Sequence, residues 1–200
     1  MRGKAIFSTV VALAAVLGPA IALPTAATAA EPPSSAAPAS GVFSFTTGPG
    51  ILTTWAYNNI KVSGGSPAIL VPKGTGAQAV AAFPIVAHER TAIFTGGSLR
   101  ITNAKTGDFI NCLNPAVDTL VMVVDCVMPD KTNKQLFAIA KIGTVRPLLT
   151  VTTVTTNYSG LDLRIADQEI ADYMNAKLRT NTFSPSVVFA TGELTVTYAR

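Results

Sequence analysis

Thr150 to Tyr158 is almost entirely threonine, valine and tyrosine, the strongest β-forming run in the chain. Branched and aromatic side chains lose rotamer freedom in a helix and pack well on a pleated surface. The rest of the chain between Val42 and Tyr198 has the same character. Val42–Phe45, Ala68–Val71, Phe83–Val86, Ser98–Asn103, Phe109–Leu113, Leu120–Met128, Leu136–Ile142, Phe189–Ala190 and Leu194–Tyr198 are short apolar or alternating runs. Gly64-Gly65, the loop around Lys73-Gly74-Thr75-Gly76, Gly96-Gly97, Lys105-Thr106-Gly107-Asp108 and Pro129-Asp130-Lys131 cut them apart. Many short strands joined by such turns predict an antiparallel sandwich or a partly closed barrel. Leu161, Leu163 and Ile165 alternate with Asp162 and Arg164, so one face of that strand is expected to be wet.

Two segments break the β pattern. Ile170, Met174 and Leu178 recur every fourth residue behind Asp167, a good N-cap, which predicts a helix over 167–179. Ile51, Leu52 and Trp55 share a face after Pro49, which predicts a shorter helix over 50–59. The expected class is α+β, mainly antiparallel β, with one firm C-terminal helix and a weaker N-terminal helix.

The first 29 residues belong to a different category. Arg2 and Lys4 precede an apolar stretch from Ala5 to Leu23, and Ala27-Thr28-Ala29 places small residues at a cleavage site. That order is a secretory signal. Gly18 and Pro19 interrupt the stretch, which argues against a membrane-spanning anchor. Residues 30–41, AEPPSSAAPASG, read as a Pro/Ala/Ser-rich spacer, disordered or extended. Residues 42–200 then form a single secreted domain, large enough for a proper core.

Export decides how the cysteines and charges are read. Cys112 and Cys126 are the only two cysteines. In an oxidising compartment such a pair most often forms a disulfide, here closing a loop of about 15 residues worth roughly 3 kcal/mol. The alternative is two buried thiols. Without Arg2 and Lys4 the chain keeps 13 basic against 11 acidic residues, a formal charge of +2. The basic residues are scattered, so no nucleic-acid surface is legible. Charged residues make up 13% of the chain, about half the usual share.

Catalytic and metal constellations are thin. Gly96-Gly97-Ser98-Leu99-Arg100 is not a nucleophile elbow. His88 is the only histidine, and with Glu89 beside it a hydrolase would have to use it; the plainer alternative is a surface turn histidine. Asp125 interrupts an apolar run, as a buried acid with raised pKa or as a solvent-facing strand residue. One histidine and two paired cysteines do not make a zinc site. Lys73-Gly74-Thr75-Gly76 lacks the order of a phosphate loop. Trp55 reads as a core plug or a ligand-site aromatic, and Tyr57 stays open between the core and a ligand or partner site. Asn157-Tyr158-Ser159 fits a glycosylation sequon.

Phe83-Pro84-Ile85, Gly96-Gly97-Ser98-Leu99, Asn114 with Val117-Asp118, Leu136-Phe137-Ala138-Ile139, Met174 to Leu178, and Gly192 with Thr195-Val196 occur in this order. Over about residues 42–198 the chain resembles small secreted actinobacterial β-rich proteins of unassigned function. It is more remotely similar to the HtaA-type domain of haem-uptake proteins. That second resemblance implies haem held by a tyrosine near the start of the domain with a histidine assisting, which maps onto Tyr57 and His88. The Trp-Gly and Phe-x-x-Tyr context of that tyrosine is missing here. The leading expectation is a secreted or cell-envelope, non-enzymatic module acting by binding or structural presence and needing no cofactor. The alternative is a protein binding haem or another hydrophobic small ligand, and the third a hydrolase using His88.

Overall fold

The computed structural model describes residues 35–74 and 77–200. The signal at 1–29, the spacer up to residue 34, and Thr75 and Gly76 of the Lys73 loop lie outside them. The elements in chain order are β1 (Ala37–Thr47), α1 (Ile51–Tyr57), β2 (Ile60–Gly65), β3 (Ile69–Lys73), β4 (Gln78–Glu89), β5 (Ala92–Thr95), β6 (Ser98–Asn103) and β7 (Phe109–Asp118). They continue with β8 (Val123–Val127), β9 (Asn133–Lys141), β10 (Thr144–Leu149), β11 (Thr153–Ile165), α2 (Gln168–Leu178) and β12 (Val188–Ala199). The run of threonines and valines thus joins Leu161–Ile165 in one 13-residue strand. Ala37 to Gly41, read in sequence as spacer, form the first part of β1.

Eight strands close into an antiparallel barrel in the order β1, β4, β5, β7, β8, β9, β11 and β12, with β1 against β12 completing the circle. The expected partly closed barrel is therefore fully closed. Along each wall strand one side chain in two faces inward. Phe43, Phe83, Val117, Leu136, Leu161, Leu163 and Leu194 are almost completely buried there. An eight-stranded barrel is just wide enough for side chains to fill it. Two voids of about 10 Å³ lie in its interior among the described residues, one beside Phe43, Phe83 and Leu163 and another beside Trp55, Leu70 and Ile101. Each is the size of a single water site.

Two features shape the wall. At Gly96-Gly97 the chain bends, so β5 pairs with β4 while β6 turns away to pair with β2. Gly97 has φ 101°, and a Cβ there would run into Ala68. At the β7/β8 seam the ladder slips between Leu113 and Ala116. Cys112 and Cys126 are joined across that seam, with Cα atoms 4.8 Å apart. That separation is normal for a disulfide between neighbouring strands.

Both helices sit at one end of the barrel, following the ends of β1 and β11. Trp55 of α1 packs between Phe183 and Phe189, with ring centroids at 5.5 and 5.9 Å, and is the expected core plug. α2 starts where the sequence places it, because the Asp167 carboxylate accepts the Ile170 N–H at 2.9 Å. It buries Ala171, Met174 and Leu178. Asn103 fastens the other end of α2 by donating to the Leu178 carbonyl at 2.7 Å. Sequence patterning misses two strands, the four-residue β5 and, at the edge of the sheet, β10. Its Arg146-Pro147 pair lacks alternation, and Pro removes a ladder donor; β10 is an edge strand paired only with β11.

Candidate functional site

The end of the barrel away from the helices is built from turns and strand tips. Ala37 of β1 pairs with His88 of β4, His88 with Ile93 of β5, and Ile93 with Val117 of β7. On the other side of β1, Ala39 pairs with Tyr198 of β12, and Tyr198 with Val154 of β11. Six strand ends therefore converge. Paired residues in a ladder point to the same face, and Ile93 and Val117 are core residues. His88 is consequently directed to the inner side of the barrel mouth.

Gly41 makes this arrangement possible. The β1–β4 register shifts between Pro38 and Val42. Gly41 adopts φ 131° there, and a Cβ would collide with the Thr195 carbonyl. Ala39, Gly41 and Phe43 alternate on one face opposite Tyr198, Val196 and Leu194, and the shift brings His88 of β4 opposite Ala37 on that same face. The two rings then stack across β1, with centroids 4.0 Å apart and planes inclined by 10°. Both residues are half-buried. Among the described residues no hydrogen bond links the imidazole to a hydroxyl or a carboxylate.

The same inner face extends onto β10. Val145 pairs with Tyr158, Pro147 with Thr156, and Leu149 with Val154. Tyr158 in turn pairs with the fully buried Leu194, and both Tyr158 and Tyr198 pack against the core. Val145 and Leu149 lie further out and are exposed. The mouth of the barrel thus has an apolar and aromatic wall that begins in the core and runs uncovered to the free edge of β10.

Tyr57 is elsewhere. It ends α1, at the helical end, and is 89% exposed. β1 has 11 residues between the His88 end and the α1 end, a length of about 35 Å at 3.3 Å per residue. The structure does not bring Tyr57 and His88 together. The stacked partner of His88, Tyr198, carries no motif in the sequence; only the strand register reveals it.

Asp125 combines its two sequence readings. It is a half-buried residue of β8 between the buried Val124 and Cys126. Burial, and then the charge of Asp118, push its carboxyl above the ordinary value. Beside α2, Asp172, Asn175, Arg179 and Asn181 rim an open depression of about 480 Å³. Arg179 is already engaged there by Asp108 at 3.0 Å.

No protein-family model and no curated protein sequence matches the chain. The solved structures similar to it include two haem-uptake proteins. Haem-binding protein HtaB from Corynebacterium glutamicum shares 14% identity over 82% of this chain and 94% of that one, with TM-score 0.46. The C-terminal domain of HtaA from Corynebacterium glutamicum shares 9% identity over 82% and 99%, with TM-score 0.45. The chain is remotely similar to both. The resemblance drawn from sequence to the HtaA-type domain holds at that remote level.

Proposed function

We propose that this chain is an exported, non-enzymatic binding module that takes a flat, largely apolar small molecule at the open end of its barrel. The observation that carries the reading is the His88–Tyr198 stack on the inner face, continued by Tyr158, Val154, Val145 and Leu149. The voids inside the barrel are far too small for such a ligand, so it lies against the exposed wall at the mouth. The disulfide supports an oxidising, extracytoplasmic location.

Haem is the ligand that fits this set of side chains best. Imidazole and phenol oxygen are both iron ligands, and the surrounding wall is apolar. A bound haem would supply an open coordination position on its iron. Tyr198 or His88 would ligate the iron while the other ring holds the plane of its neighbour, and the aliphatic residues of β10 and β11 would exclude water.

Haem titrated into the chain beginning at Ala30 is expected to give a shifted Soret band. Tyr198→Phe and His88→Ala are each expected to weaken or abolish it, and Tyr57→Phe to leave it intact. A wild-type spectrum identical to free haem would remove the haem reading. A band lost in Tyr57→Phe alone would move the site to α1.

A further inference from the structure

Five large aliphatic side chains are more exposed than any others among the described residues: Val151 at 91%, Leu120 at 74%, and Leu148, Val121 and Leu149 between 58% and 61%. All five lie at the tips of two hairpins, Leu120 and Val121 in the β7–β8 connection, Val151 in the β10–β11 connection and Leu148 and Leu149 at the end of β10 that leads into it. Strand direction puts both at the open end, because Asp118 pairs with Ala92 beside the β4–β5 turn, and Leu149 with Val154 beside Tyr198.

These tips are held in shape by their own polar groups. The Asp118 carboxylate accepts the N–H groups of Leu120 and Val121 at 2.9 and 3.2 Å. Thr119 donates its N–H to Thr91, tying the turn to the next one. At the other tip the Thr150 hydroxyl accepts from the Thr153 N–H at 2.9 Å, and the Thr150 N–H donates to the Thr153 carbonyl. The Thr152 carbonyl accepts from the Arg200 N–H. Backbone groups that would be costly to strip of water are thus partnered, while the aliphatic side chains point outward.

The occupant follows from where the chain enters the fold. Ala37 lies beside His88, so the sequence preceding β1 leaves from this end. That sequence is the apolar export stretch Ala5–Leu23 and a short connection from Pro24 to Ala36. Until cleavage, those 13 connecting residues span at most about 45 Å, so this end of the barrel folds within reach of the bilayer. Arg90 and Arg200 stand at the same end as Glu89 and Asp118, a balanced set of side chains. A second copy pairing along β10 is disfavoured, because Pro147 interrupts the edge.

We propose that the open end docks on a lipid bilayer, inserting Leu120 and Val121 from one hairpin and Leu148, Leu149 and Val151 from the other into its interfacial layer. The docking needs no bound ligand and stands independently of the haem reading. Each aliphatic side chain removed from water contributes about tenfold in affinity.

The test is co-sedimentation of the chain beginning at Ala30 with phosphatidylcholine vesicles, and with the same vesicles containing phosphatidylglycerol. That chain retains every buried core residue. Binding to both is expected, with only a few-fold preference for the anionic ones. Leu120→Asp combined with Val151→Asp should weaken binding by at least tenfold, while Ile69→Asp, on an exposed strand elsewhere, should leave it unchanged. Val151→Trp adds a second readout, a blue shift of its emission on vesicle addition, with the native Trp55 buried at the far end. Absent wild-type binding, or equal binding by the double variant, overturns the proposal. So does concentration-dependent self-association without vesicles that the same aspartates abolish, which would make a second copy the occupant.

Discussion

The two ends of the barrel solve opposite problems with the same strands. At the helical end aromatic and polar side chains close the barrel. Trp55 fills the space between Phe183 and Phe189, and Asn103 satisfies the last carbonyl of α2 while its own side-chain oxygen accepts the N–H groups of Lys105 and Thr106. At the other end the wall stays open. β11 and β12 run past the closed part of the barrel, β10 pairs with β11 alone, and the aliphatic residues of the tips have no protein to cover them. A sealed end is where a small barrel keeps its stability, and an uncovered end is where it can meet another molecule.

The sharpest way to break this contrast is to remove one side chain from each end. Trp55→Ala leaves a cavity against two phenylalanines and should cost about 3–5 kcal/mol. Val151→Ala removes a side chain that touches little and should change stability by no more than about 0.5 kcal/mol. Urea midpoints of the two variants measure both. Comparable losses would mean that the open end is as much a part of the core as the helical end.

The disulfide tests the wall between the ends. Cys112 and Cys126 are 14 residues apart and cross the seam where the β7–β8 ladder slips. Replacing both with alanine should cost about 3 kcal/mol through the freed unfolded chain. Hydrogen exchange should then rise first in β7 and β8, with α2 still protected. Uniform loosening of the whole barrel would show that the seam is no weaker than its neighbours.

Much of the sealed end was legible in the sequence, and little of the open end. Trp55 and the Ile170, Met174, Leu178 stripe announce themselves by size and periodicity, because burying them dominates local energetics. The cysteine pair was readable because oxidation needs only compartment and proximity. The His88–Tyr198 stack was not, since it joins residues 110 positions apart through two ladders and a glycine bulge. Nor was β10, whose proline hides a strand that is tolerated only because its outer edge is free. Tyr57 drew attention by its place near the start of the domain, and the chain puts it at the wrong end to share a ligand with His88.

The smallest effect concerns the carboxylates that flank the open end. Asp118 holds the β7–β8 turn by accepting two N–H groups, and its charge adds to burial in raising the Asp125 carboxyl. A carboxyl whose pKa is higher in the folded state binds its proton more tightly there than in the unfolded chain. Its contribution therefore favours folding at low pH and is progressively lost as pH rises from the unfolded value through the folded one. Asp125→Asn removes that penalty. The stability difference between the variant and the native chain should be near zero in acid and grow in the variant's favour as pH rises through the carboxylate range, while the other acids titrate in both proteins and cancel. Chemical denaturation at a series of pH values reads this directly. A difference that shrinks with rising pH would mean that the native Asp125 charge is stabilised, and that Asp118 and Asp125 support the tip together instead of straining it.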